Sequence, residues 1–302
     1  MLIEPVGLLD GAAAREAVGQ GVAKWLAGGP VAFTALRIGS AFAGIADAPA
    51  ALSAPRPAWA GLAADRPLVM GVINITPDSF SDGGVHLDPD AAIASGRRMF
   101  EDGADIVDLG AESTRPGAAP LELAEEHRRL LPVLRALVAH GPVSVDTRNA
   151  LTMRAALDAG ARVVNDVSAL THDALALATV AEAGCPVVLM HMRGTPATMQ
   201  ARTDYRDVAA EVFAELAARI AAAEAAGIAR ASIVADPGIG FAKTAAQNLE
   251  LLDRLAGLHG LGVRLMAGAS RKSFIGRFAG VPEPANRLPG SLAAALFALA
   301  RG

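Results

Sequence analysis

A single cysteine, Cys185, stands in 302 residues. No internal disulfide can form, and the pattern suits a reducing compartment. Aromatic residues are also scarce, at 4% against 52% hydrophobic overall, so a large core has to be built from Ala, Val, Leu and Ile. Positive charge is not in excess. A net charge of −4 leaves no basic face and counts against nucleic acid as the main partner. Long apolar runs are missing too. The Ala-rich stretch Ala209–Ala226 is interrupted by Glu and Arg, and nothing reaches the ~18 residues of a membrane span. The opening MLIEPVGLLDG has no basic region before an apolar core, so no signal peptide is read. A cytoplasmic protein without nucleic-acid or membrane partners is expected.

The length suits one large α/β domain or two small ones. Residues 1–66 differ from the rest. Gly11–Leu26 predicts a helix, Val31–Ile38 a short strand, and Pro49–Pro67 is Pro/Ala-rich and irregular. This reads as an accessory segment packed on a domain spanning 67–302. From Leu68 the pattern turns regular. Strands are predicted at Leu68–Asn74, Asp105–Gly110, Pro142–Asp146, Arg162–Asn165, Val187–His191, Ser232–Asp236 and Val263–Gly268. Helices are predicted between them at Pro89–Glu101, Leu121–Ala139, Ala150–Asp158, Asp173–Ala183, Tyr205–Ala226 and Ala246–Leu258. Gly103, Gly160, Gly184 and Gly227 stand where a left-handed residue stops a helix. Strands alternating with helices imply a parallel sheet covered by helices. Every strand ends in polar groups: Asn74, Asp108, Asp146, Asn165 with Asp166, His191 with Arg193, Asp236, and Ser270-Arg271-Lys272. An open sheet concentrates its site at one switch point, whereas a barrel gathers all its strand ends around one mouth. A (β/α)₈ TIM-type barrel is therefore favoured, although only seven strands follow residue 66 and none follows the last helix, Pro289–Arg301.

Several constellations carry chemistry. Ser270-Arg271-Lys272-Ser273 puts two cations and two hydroxyls on a tight turn, suited to an anion or a polarised ring heteroatom; a solvated turn with Ser270 or Ser273 capping the next helix is the plainer use. Asp146, Asp236 and Asn165 come from three strand ends and together accept and donate hydrogen bonds, as a flat heterocycle with an amino/amide edge requires. Capping a following helix is the plainer role for any one Asp. The loops Asp78–Asp82 and Glu112–Gly117 are polar and bounded by Gly and Pro, like lids. In them Arg115 suits a carboxylate and Phe80 an aromatic ring. His191 has no second His or Cys at ligand spacing and reads as a hydrogen-bonded core residue. Glu211, Glu215 and Arg219 read as a solvated helix face. Asp236-Pro-Gly-Ile-Gly240 is no dinucleotide fingerprint.

The segments MGVINITPDSFSDGG, DLGAESTRPGA, VSVDT, VNDVSAL, VVLMHMRGTPATMQ, ADPGIGFAKT and AGASRKSFIG stand in the order of the dihydropteroate synthase family, and from Leu68 to Arg301 the chain resembles it. The resemblance implies a (β/α)₈ barrel. It also implies condensation of 6-hydroxymethyl-7,8-dihydropterin pyrophosphate with p-aminobenzoate, releasing pyrophosphate, with Mg²⁺ as cofactor and sulfonamides as competitors. By matching motif, Asp146, Asn165, Asp236 and Lys272 would hold the pterin, with Asp146, Asp236 and Lys272 in the catalytic roles. Met190, Phe241, Ser270 and Arg271 would complete the substrate-binding set. Asn74 would meet Mg²⁺ and the pyrophosphate, and Phe80, Thr114, Arg115, Pro116 and Ser273 would shape the aminobenzoate site. A homodimer is implied as well. Two departures stand out: Ala111 replaces a family glycine, and the family's eighth strand with its Arg-x-His pair is not seen. A truncated chain is the favoured explanation. The others are the strand Val31–Ile38, with Arg37, filling the vacant place, and a divergent paralogue that binds pterin without turnover. A pterin-dependent methyltransferase is the less favoured enzyme.

Overall fold

The computed structural model describes residues 1–63, 66–76, 88–113 and 121–302. The Asp78–Asp82 loop with Phe80, and Thr114, Arg115 and Pro116, lie outside the described residues. The first elements are β1 (Glu4–Val6), α1 (Gly11–Gly19), β2 (Lys24–Trp25), β3 (Ala32–Phe33), β4 (Ala35–Ile38), β5 (Ala41–Ala43) and α2 (Ala50–Ser53). They form an antiparallel sheet β1-β4-β5 and a ribbon β2-β3. The helix expected over Gly11–Leu26 ends early, because the chain turns at Gly21 with φ +74° and re-enters as a strand. The strand expected at Val31–Ile38 is split at Thr34 between the two sheets. It does not fill the eighth barrel position. Its Arg37 pairs with Glu4 at 2.8 Å, and its neighbours are β1 and β5.

The second run alternates: β6 (Met70–Asn74), α3 (Pro89–Glu101), β7 (Ile106–Gly110), α4 (Leu123–Leu137), β8 (Val143–Asp146), α5 (Ala150–Asp158) and β9 (Val163–Asp166). It continues through α6 (Ala176–Ala183), β10 (Val187–Met190), α7 (Val208–Ala225), β11 (Ile233–Asp236), α8 (Ala245–Asp253), β12 (Arg264–Leu265), α9 (Ser273–Ala279) and α10 (Leu288–Leu299). The seven strands β6 to β12 pair in parallel in chain order. Among the described residues this is the curled sheet of a TIM-type barrel with seven of its eight strands, and β6 and β12 are its edges. Gly103, Gly160, Gly184 and Gly227 all adopt positive φ after their helices, as the helix-stop pattern requires.

The period of two along each strand divides the core. Ile73, Val107, Leu109, Val145, Val164, Leu189 and Ala235 point outward and pack with the helices in one continuous cluster. Each large side chain so buried contributes roughly 1.5–3 kcal/mol. Ile106, Val163, Val188 and Val234 point inward and form a separate cluster around Trp59, with Met70 and Met266 against it. Trp59 is tied there by its indole N–H, donated to the Ser232 carbonyl at 2.9 Å. That cluster is the barrel floor. β12 is shorter than the expected Val263–Gly268, since it has a sheet neighbour on one side only.

Candidate active site

One row of the parallel register runs Asn74, Gly110, Asp146, Asn165 across β6 to β9. The inward-facing members of this row therefore meet at the barrel mouth. Gly110 makes the close approach possible. A methyl added there would lie 3.3 Å from Asp146 Oδ2 and 3.6 Å from Asn74 Oδ1. Asp108, one inward position deeper on β7, accepts a hydrogen bond from Asn165 Nδ2 at 2.9 Å. Among the described residues its other oxygen and the facing Ser144 hydroxyl are buried without a well-formed hydrogen bond, although Ser144 lies close enough to pull the Asp108 pKa down against burial. Among the described residues no hydrogen-bond donor meets the Asp146 side chain. Burial, with Asp108, Asp166, Glu112 and Glu126 around it, holds the Asp146 carboxyl well above the usual carboxylate range. Asp108 is also pushed up by burial, as is Asp166 on the outward face of β9, where the Ser168 N–H and hydroxyl and the Leu170 N–H satisfy it. This wall of the mouth is short of positive charge and asks for N–H donors or a cation.

Asp236 ends β11 and is buried. Its Oδ1 accepts from the Gly238 N–H at 2.7 Å, and burial raises its pKa against the opposing pull of Lys272. Asp146 and Asp236 do not serve as helix caps; Asn149 and Thr244 take those positions. Lys272 precedes α9 and donates to the Ile239 carbonyl. Its ammonium also sits 4.7 Å from the Phe241 ring centroid, and burial brings its pKa down to about 8. Met190, the inward-facing tip of β10, is 4% exposed and stands in register with Asp236. Ser270 and Ser273 are exposed and neither caps α9. Arg271 has a left-handed φ of +55°, its N–H held by Ser291 Oγ at 2.9 Å and its carbonyl by Arg287 at 2.9 Å. Ala111 keeps a negative φ and is buried in the main core, so the position places no demand on glycine.

Three groups escaped sequence reasoning. Glu112 receives a two-pronged ion pair from Arg148, at 2.7 and 2.9 Å, and its carboxylate also accepts from the Leu121 N–H at 3.3 Å. Asp108 was legible only as one more strand tip. Lys243, 3% exposed, sits behind the Asp236 loop and bonds His191 Nδ1 at 3.0 Å. His191 is the hydrogen-bonded core residue expected. The expectation for Glu211, Glu215 and Arg219 is corrected. Glu215 bonds His191 Nε2 at 2.9 Å, Glu211 and Glu215 both hold Arg193, and Arg219 donates to the Ala169 carbonyl at 3.0 Å. Among the described residues no group of three or more His, Cys, Asp or Glu is placed to hold a metal ion.

A family model described as pterin binding enzyme matches residues 70–302. Dihydropteroate synthase of Synechocystis is 45% identical over 78% of this chain and 83% of its own length. Two solved structures of the Xanthomonas albilineans dihydropteroate synthase superpose well. The one with 4-aminobenzoic acid is 50% identical with a TM-score of 0.73, covering 79% of this chain and 85% of the other. The one in complex with 7,8-dihydropteroate is 47% identical with a TM-score of 0.72, covering 80% and 87%. Barrel and matched span thus agree: the chain belongs to the pterin-binding enzyme family, among its dihydropteroate synthases.

Proposed function

We propose that this chain condenses 6-hydroxymethyl-7,8-dihydropterin pyrophosphate with p-aminobenzoate, forming 7,8-dihydropteroate and pyrophosphate. The observation that carries the residue assignment is the row Asn74–Asp146–Asn165 with Asp108 beneath it. Asp146 accepts from the amino and ring N–H groups of the pterin, Asn165 both donates and accepts, and Asp236 and Lys272 read the other edge. Met190 and Phe241 supply apolar walls. Phe80, Thr114, Arg115, Pro116 and Ser273 form the aminobenzoate side of the proposal, and Ser270 and Arg271 assist at the anion. Residues 1–66 serve as an accessory segment to the barrel of 67–302.

The chemistry needs no side-chain nucleophile. The carbon–oxygen bond to pyrophosphate breaks with its electron pair going to the leaving oxygen, and positive charge spreads into the dihydropterin. The arylamine lone pair then forms the carbon–nitrogen bond and one amine proton is released. The half-buried Asp146 and the buried Asp236 favour the cationic ring in a site of low dielectric. Lys272 and Arg271 favour the departing anion. Asn74 presents one hard amide oxygen at the mouth, a donor set that fits a Mg²⁺ held chiefly by water and phosphate oxygens. When bound, that ion would neutralise pyrophosphate charge. The exposed apolar stripe of α10 supports a homodimer, and the lone buried Cys185 supports a reducing, cytoplasmic setting.

Incubating the chain with the pterin pyrophosphate, p-aminobenzoate and Mg²⁺ and measuring pyrophosphate tests the reading. Release that depends on both substrates and is inhibited by a sulfonamide is expected. A chain that binds pterin and releases nothing overturns the synthase activity.

A further inference from the structure

The loop after β11 is conformationally costly. Gly238, Gly240 and Ala242 adopt φ of +68°, +88° and +49°, and a side chain on Gly238 would strike the His191 carbonyl at 2.0 Å. The turn closes through Phe241 N–H to the Gly238 carbonyl at 3.0 Å. Two features of this turn hold Lys272: the Ile239 carbonyl and the Phe241 ring. Whatever fixes the turn therefore fixes one side of the pterin site.

Lys243 is buried behind it. Its ammonium has three N–H donors, and three acceptors surround it: the Gly238 carbonyl at 3.1 Å, the Phe241 carbonyl at 3.0 Å and His191 Nδ1 at 3.0 Å. A neutral amine has two N–H groups and would leave one acceptor unmet. An accepting Nδ1 sets the His191 tautomer, with the proton on Nε2 donated to Glu215 at 2.9 Å. Glu215 in turn holds Arg193, which lies 3.9 Å from the Tyr205 ring centroid. A chain of charge-assisted bonds thus runs from α7 through the tip of β10 to both ends of the turn. Burying an ammonium is expensive. A Met of similar length would pack without that cost, but would leave the Phe241 carbonyl and His191 Nδ1 unpaired and the Gly238 carbonyl with the Phe241 N–H alone.

We propose that Lys243, oriented by His191 and Glu215, is a positioning residue for pterin recognition, bracing the Gly238–Phe241 turn and through it Phe241 and Lys272. Lys243 touches no substrate in this reading. The groups facing it are Asp236 from β11, Lys272, His191, Arg193 and Glu215 from α7, and burial brings its own pKa to about 7. The brace thus weakens as pH rises through neutrality. This inference rests on the pterin reading of the mouth.

The test measures 6-hydroxymethylpterin affinity by calorimetry, the KM of each substrate, and the melting temperature. The proteins compared are the wild type, Lys243→Met, Lys243→Arg and Glu215→Gln. For Lys243→Met, a roughly 10-fold or larger loss of pterin affinity is expected, the range of a lost charge-assisted hydrogen bond. The KM for the pterin substrate should rise in step while that for p-aminobenzoate stays put. Lys243→Arg should recover part of the loss. Glu215→Gln, on a half-exposed side chain, should fold normally and weaken pterin about 3-fold. A folded Lys243→Met with wild-type pterin affinity overturns the inference. If that variant does not fold, unchanged affinity in Glu215→Gln overturns it instead. A wild-type chain that binds no pterin removes the reading of the mouth itself, and the brace with it.

Discussion

Two sides of the same barrel differ sharply. Along β7 to β11 every strand is paired on both edges, its outward residues are buried against helices, and its inward polar groups Asp108, Ser144, Asn165 and Asp236 are buried at the mouth, with Asp146 half-buried among them. Among the described residues β6 and β12 are paired on one side only, and α10 is open on one face. Val69 and Val72 are more than half exposed, and Leu288, Leu292, Leu296, Phe297 and Leu299 of α10 range from 41 to 67% exposed. The first side can concentrate carboxylates because its low dielectric and fixed geometry raise their pKa and aim them. The open side contributes Asn74, an uncharged amide that tolerates water. In the proposed reading the carboxylates that recognise the pterin thus sit where the packing is complete, and the amide that meets the solvated anion sits where it is not.

The largest effect should come from the closed wall. Asp146→Asn is expected to lower kcat/KM about 10³-fold, a loss of ~4 kcal/mol in transition-state stabilisation, while pyrophosphate release is followed under saturating p-aminobenzoate. Stability should move the other way. Because the Asp146 pKa is raised in the folded chain, folding binds that proton. Its contribution favours the fold at acid pH and is lost as pH climbs above the usual carboxylate range. Asp146→Asn should therefore melt several degrees above wild type at pH 7, and the gap should close towards pH 4. A variant that keeps its activity, or melts lower at pH 7, would break the contrast between the two sides. Next in size is Lys272→Ala, expected to weaken 6-hydroxymethylpterin about 10²-fold by calorimetry, through loss of a partly buried cation beside Asp236. Unchanged affinity would remove Lys272 from the pterin site.

The wall was legible in the sequence because its signals are local. A short β-branched run ending in Asp or Asn, then a helix, then glycine, specifies a strand tip without knowledge of anything distant. α3 and α5 fall on the predicted residues for the same reason. What escaped is non-local. His191 is 24 residues from Glu215 and 52 from Lys243, so no spacing rule joins them. Glu215 shares a helix with Glu211 and Arg219, and that looks solvated until the tip of β10 arrives beside it. The split at Thr34 was hidden likewise: a largely apolar stretch from Val31 to Ile38 does not say that its halves pair in different sheets. The shortness of β12 depends on a neighbour that no residue of β12 encodes.

The smallest effect should lie on the open side. Leu109 on β7 is fully buried, and Leu109→Ala should cost ~3 kcal/mol by urea unfolding, as cavity-forming core changes do. Leu292 and Leu296 lie one turn apart on α10, exposed at 56% and 67%. Leu292→Gln with Leu296→Gln removes apolar surface that is in water already, so the dilute chain should change by less than ~0.5 kcal/mol. The readout that should move is association. α10 has no charged residue from Leu288 to Leu299 and its stripe is exposed apolar surface, so wild type should self-associate with rising concentration. The double variant should do so less, by light scattering across a dilution series. α10 packs on α8 and α9 through its other face, so a large loss of stability in the dilute variant would mean that the Leu292–Leu296 face is covered within the chain as well, and the open side would have to be redrawn as closed.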